Sequence, residues 1–137
     1  MEYISGIHAL NLPCELATCG DWHQSSLKWD DIDIRDSRNS IFAEYGIEKN
    51  KKIPKGDKKY NVANHIRAIL DILENGEYPF SHIEGMRDDL IVVGDYTDEI
   101  FNKVYLLRDN SNWDNINRFM GDEYYGKWLR FLKGKNK

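Results

Sequence analysis

Two cysteines and no long apolar run are what this 137-residue chain has least of, and each shortage excludes something. Cys14 and Cys19 are too few for the disulfide framework that holds many small secreted domains together. No apolar stretch approaches the roughly 20 residues that a membrane-spanning helix needs. Met1-Glu2-Tyr3-Ile4-Ser5-Gly6 contains no basic segment followed by a long apolar one, so no secretory signal is expected. A cytoplasmic protein that makes no use of a membrane is the expectation. The chain also lacks Gly-x-Ser-x-Gly, a phosphate-binding glycine loop and His-Glu-x-x-His, which removes the enzyme classes those motifs mark.

The chain is rich in aromatic residues, with four tryptophans and eight tyrosines, and 41% of it is apolar. That is the composition of a folding domain. The length suits a single domain, 1–137, with one ordinary core. The formal charge is −4, unevenly spread. Eleven of the 19 Lys and Arg fall in two stretches: Lys49, Lys51, Lys52, Lys55, Lys58 and Lys59, then Lys127, Arg130, Lys133, Lys135 and Lys137. The remainder is acidic, which disfavours nucleic acid and suits a basic protein partner. Solubility is the plainer account of the same charges.

The first half, punctuated by glycine and proline, reads as short strands and loops. Ile32 and Ile34 alternate within 29–36, the mark of a half-exposed strand. Tyr3 to Leu12 is mixed, and 49–59 reads as an exposed lysine-rich loop. The second half is helical. Val62, Ile66, Ile69, Leu70 and Leu73 share one face, with Asn61 as the expected N-cap and Gly76 as the stop. Thr97 and Asp98 open a helix lined by Ile100, Phe101, Val104 and Leu107. Another carries Trp113, Ile116, Phe119 and Met120, with Gly121 interrupting it. Tyr124, Tyr125, Trp128, Leu129 and Leu132 form the last, its Trp and Leu toward the core and its Lys and Arg toward water. Leu90-Ile91-Val92-Val93 is a buried strand or a helical turn. The fold class expected is α+β, a small N-terminal sheet packed with three or four C-terminal helices.

Candidate sites follow from residue chemistry. His8, Cys14, Cys19 and His23 are the ligand types of a tetrahedral zinc site, but they are compressed within sixteen residues, unlike standard fingers. Buried, inert thiols beside ordinary histidines are the commoner arrangement, so no cofactor is expected and zinc is the alternative. Cys19, Asp21 and His23 also place a thiol, a carboxylate and an imidazole near one another in sequence, a weak signal for nucleophilic catalysis. Asn61, Asn64, His65 and Arg67 form a basic–amide patch on the expected helix. It could meet a phosphate or a carboxylate, although a solvated helix face is the plainer reading. The pairs Asp30-Asp31, Asp88-Asp89 and Asp122-Glu123 are assigned no metal, because adjacent carboxylates are routine on acidic surfaces.

Two segments carry a family likeness. Tyr3-Ile4-Ser5-Gly6-Ile7-His8-Ala9-Leu10-Asn11 through Cys19-Gly20-Asp21-Trp22-His23, with Tyr60-Asn61-Val62-Ala63-Asn64-His65-Ile66-Arg67, resembles small uncharacterised bacterial proteins encoded beside nucleotidyltransferase toxins of the AbiEii type. The resemblance implies an antitoxin or accessory role and assigns no residue a task. The function expected is thus an antitoxin-like or immunity-like binding protein that restrains a toxin partner with a basic surface. Trp22 and Trp29 are its candidate anchors, Asp30, Asp31 and Asp33 its charge, and Asn64, His65 and Arg67 its polar patch. The alternative is a metalloprotein or Cys/His-dependent enzyme using the His8–His23 segment.

Overall fold

The computed structural model describes residues 1–16, 27–87 and 96–135. Along the chain run β1 (Glu2–Ile4), α1 (Gly6–Leu10), β2 (Ile34–Asp36), β3 (Ile47–Lys52), β4 (Lys59–Ala63), α2 (His65–Glu74), α3 (Thr97–Tyr105), α4 (Trp113–Tyr124) and α5 (Gly126–Lys135). This is an α+β protein with its helices mostly C-terminal. It divides into two compact units, Met1–Ile72 and Leu73–Lys137, with α2 running through the boundary.

The first unit holds a four-stranded sheet in the order β2-β1-β4-β3. β1 runs antiparallel to β2 and parallel to β4, and β3 and β4 form an antiparallel hairpin. Val62, expected on a helix, lies instead in β4, opposite Ile4 on one side and Glu48 on the other. Its β-branched side chain suits a strand, and pairing with two neighbours outweighs a helical stripe. α2 therefore begins later than expected, and Asn64 rather than Asn61 caps it. The Asn64 side chain accepts from the Arg67 N–H at 2.8 Å, which satisfies one of the donors a helix start leaves unpaired.

The lysine-rich stretch is part loop and part strand: 53–58 is the loop expected, while Lys49, Lys51 and Lys52 lie in β3 and Lys59 opens β4. β3 and β4 flank residues 53–58, and only that connection is irregular. Lysines along an outer strand blunt an edge that would otherwise recruit another chain. The edge is bent as well. The register passes from Glu48↔Val62 to Lys51↔Tyr60, so β3 carries one extra residue, and Asn50 takes a left-handed φ of 59°. Of the strand expected over 29–36, only Ile34–Asp36 pairs.

The second unit is helical. Gly76 ends α2 as expected: its φ is 67° and its N–H donates to Leu73 O at 3.2 Å. Gly121 does not interrupt α4, which continues to Tyr124. A helical glycine costs only about 1 kcal/mol relative to alanine, and buried Phe119, Met120 and Tyr124 hold the helix on both sides of it. The break comes at Tyr125, where φ is 49°. Phe101 makes edge contacts with Tyr124, Trp128 and Phe131 at 4.9, 5.1 and 5.4 Å. Trp128 is fully buried, and its indole N–H donates to Asn117 Oδ1 at 2.7 Å. α5 departs from expectation on one flank: Leu129 is 57% exposed and Tyr125 65%. Leu129 is one residue on from Trp128, about 100° round the helix, so it points away from the line that Trp128 buries. Leu90 to Val93 lie outside the described residues.

Candidate functional site

The polar patch read from the helix pattern is not a solvated face. His65 and Arg67 are fully buried. Tyr3 from β1, Ser5 just after it, and Arg67 and Asp71 from one face of α2 form a closed cluster. Arg67 Nε donates to Asp71 Oδ1 at 2.9 Å. Arg67 Nη1 reaches the Ala43 and Tyr45 carbonyls at 2.7 Å each, and Nη2 reaches Tyr3 Oη at 2.9 Å. Tyr3 Oη and Ser5 Oγ donate to Asp71 Oδ2 at 2.7 and 2.6 Å. A buried ion pair is tolerated when its remaining donors and acceptors are filled, and here they are. Burial drives the Tyr3 hydroxyl well above its ordinary pKa, and the neighbouring Asp71 carboxylate adds to the shift beyond what Arg67 takes back. The cluster ties β1, α2 and the 42–45 turn together and keeps no donor turned outward for a ligand. Sequence periodicity missed this because it treats any charged residue as a surface one. The i,i+4 spacing of Arg67 and Asp71 was the available signal.

The other candidates are distributed as follows. Asn64 is the helix cap, and His65 Nε2–H donates to Leu12 O at 2.6 Å. Both ring nitrogens of His8 are engaged, Nε2–H with Lys28 O at 2.8 Å and Nδ1 with the Asp33 N–H at 3.3 Å. Trp29, half-buried, sets its ring against the His8 ring at 5.0 Å. Cys14 is partly exposed. Cys19, Asp21, Trp22 and His23 lie outside the described residues. Asp30 pairs with Lys55, and Asp33 takes two hydrogen bonds from Arg35, at 3.0 and 2.8 Å. Asp31 is exposed. The acidic run is thus partly neutralised from within its own unit.

A different acidic feature has the shape of a site. In the second unit a cavity of about 360 Å³ opens between Tyr78, Glu84 and the α4 residues Arg118, Phe119, Asp122 and Glu123. Phe80, buried, meets the Tyr78 and Phe119 rings edge-on at 5.6 and 5.4 Å, which fixes two apolar walls. Three carboxylates face one guanidinium. Arg118 stands one turn before Asp122 on the helix, the spacing that sets those two side by side. Glu123 lies further round, and its Oε1 is buried with no hydrogen-bond partner, alone in that condition among the described residues. A buried acceptor left empty costs about 1–3 kcal/mol and calls for an explanation. Sequence reading noted Asp122-Glu123 only as a surface pair, since nothing local marks which carboxylate the fold buries. Among the described residues no group of three or more His, Cys, Asp or Glu is arranged to hold a metal. Comparison with protein-family models, curated proteins and solved structures finds no match for this chain.

Proposed function

We propose that the chain is a binding protein, antitoxin-like in role, that docks on a partner with a basic surface through the acidic cavity on α4. The observation that carries this reading is the empty, buried Glu123 Oε1. A free protein that leaves a buried carboxylate oxygen unpaired gives up stability, and such losses gather where a ligand later supplies the missing donor. Walls of Tyr78 and Phe119 beside carboxylates suit a guanidinium or an ammonium on an apolar stem, as in a partner's arginine or lysine, better than a bare ion. The acidic excess of the chain brings such a surface in quickly. That the partner is a toxin rests on the family resemblance of Tyr3–Asn11, Cys19–His23 and Tyr60–Arg67.

The test is Glu123→Gln, which keeps the volume and removes the charge. Native capture on the full chain, read by mass spectrometry, identifies the partner, and a binding titration compares the two forms. Loss of one member of a buried charge pair costs about 2–5 kcal/mol of binding, mostly through faster dissociation. The free variant should melt no lower than wild type, since it no longer buries an unpaired charge. A captured basic partner that binds both forms equally, or no partner at all, refutes the reading.

A further inference from the structure

A second cavity, of about 390 Å³, lies in the same unit between the first turns of α3 and the outer flank of α5. Thr97, Asp98 and Phe101 line it from α3, and Lys127, Arg130 and Phe131 from α5. Its volume falls in the range of small-molecule sites, about 300–1,000 Å³. The floor is aromatic: buried Phe101 and half-buried Phe131 stand 5.4 Å apart, and because Trp128 stacks on Phe131 and Lys135 Nζ lies 5.2 Å over it, Phe131 offers the cavity the edge of its ring. The rim is cationic. Lys127 and Arg130 are exposed, sit three residues apart on one helix flank, and make no ion pair or hydrogen bond among the described residues. Elsewhere in the chain Arg35, Arg38, Lys51, Lys55 and Arg67 each have a carboxylate. Lys127 and Arg130 have none and line a single concave place together, which makes it a candidate anion position.

We propose that this cleft binds a small phosphomonoester carrying a planar ring, a ligand of the mononucleotide class. The phosphate sits between Lys127 and Arg130, where a fork of guanidinium donors and an ammonium suit its oxygens. The ring packs against the edge of Phe131, in the edge-to-face manner of aromatic pairs. Asp98, across the cleft from the cations, accepts hydrogen bonds from hydroxyl or amino groups on the ligand and repels a second anionic group placed at that end. This division of the walls, cations on α5, an aromatic floor and the Thr97 hydroxyl and Asp98 carboxylate on α3, is what separates a ring-bearing phosphate from inorganic phosphate or a purely apolar ligand. It is independent of the α4 cavity, with which it shares no residue.

The experiment is a titration of the full-length protein, by calorimetry and amide NMR, with adenosine, guanosine, cytidine and uridine 5′-monophosphates. Inorganic phosphate, the free nucleosides and an acidic aromatic peptide are run beside them. The expected result is saturable binding of at least one monophosphate, with shifts confined to α3 and α5, at least tenfold tighter than its nucleoside or phosphate. Lys127→Ala and Arg130→Ala, both at exposed positions, should each weaken it by about tenfold, the worth of one charge-assisted hydrogen bond. Phe131→Leu, checked for an unchanged melting curve, should weaken ring-bearing ligands without altering the response to phosphate. Absence of saturable binding by every monophosphate overturns the proposal. So does binding that survives both cation substitutions, or a peptide that binds where the monophosphates do not.

Discussion

Replacing Arg67 by methionine tests the account of the buried cluster at its centre. The substitution keeps most of the apolar stem and deletes the guanidinium. Asp71 would keep the Tyr3 and Ser5 hydroxyls at 2.7 and 2.6 Å but lose the guanidinium, and the Ala43 and Tyr45 carbonyls would lose their common donor. Removing one member of a buried pair costs about 3–5 kcal/mol, because the other charge stays behind. The orphaned carbonyls push the figure toward the upper end. Total stabilities run at about 5–15 kcal/mol, so the variant should fold with little margin and melt roughly 10–20 °C lower. Urea unfolding followed by circular dichroism measures the loss, and an unchanged slope shows that the native state has not loosened. The control is the double variant Arg67→Met with Asp71→Leu, which leaves no buried charge. It should be more stable than the single variant by about 1 kcal/mol or more. If Arg67→Met costs less than about 1 kcal/mol, or if the two substitutions simply add, the cluster does not hold the unit together as described.

Two further outcomes follow from the same unit. Gly46→Ala should lose about 2–3 kcal/mol in urea unfolding, because φ there is 72° and a Cβ would come within 2.8 Å of Arg67 Cβ and 3.0 Å of Asn64 Oδ1; a loss below about 0.5 kcal/mol would show that the 46–64 contact yields freely. The raised pKa of Tyr3 gives a component of stability that is full below pH about 10, where the unfolded tyrosine is still protonated. It is lost as the pH climbs beyond that value and the unfolded state alone releases its proton. The wild-type urea midpoint should therefore fall more steeply than that of Tyr3→Phe above pH about 10, and parallel curves would contradict the assignment.

The helical half of the fold was legible because its signals are local. Thr97 opens α3, and Ile100, Phe101, Val104 and Leu107 are buried as their spacing requires. The N-terminal half was less so, because its elements depend on partners far along the chain. Val62 satisfies a helical stripe and a strand equally well, and only Ile4 and Glu48 decide between them. Lys49, Lys51 and Lys52 read as loop because charge hides an edge strand. For the sites, residue type misled where burial decided: Arg67 is interior, whereas Leu129 on α5 is outside. Glu123 had no local signature, since an unpaired oxygen is a property of the packed state alone.

The parallel pairing of β1 with β4 carries a consequence for synthesis. β1 precedes the other strands of its sheet, yet the Asp71 that receives the Tyr3 hydroxyl lies 68 residues later. At elongation rates of about 5–20 residues per second, that separation takes roughly 3–14 s. Until the end of that interval Tyr3 lacks its carboxylate, and until β4 is made only β2 can pair with β1. One side of β1 is thus secured only after most of its unit has been made. A ribosome stalled just after β3 would display β1 with at most its β2 side paired and its β4 side open.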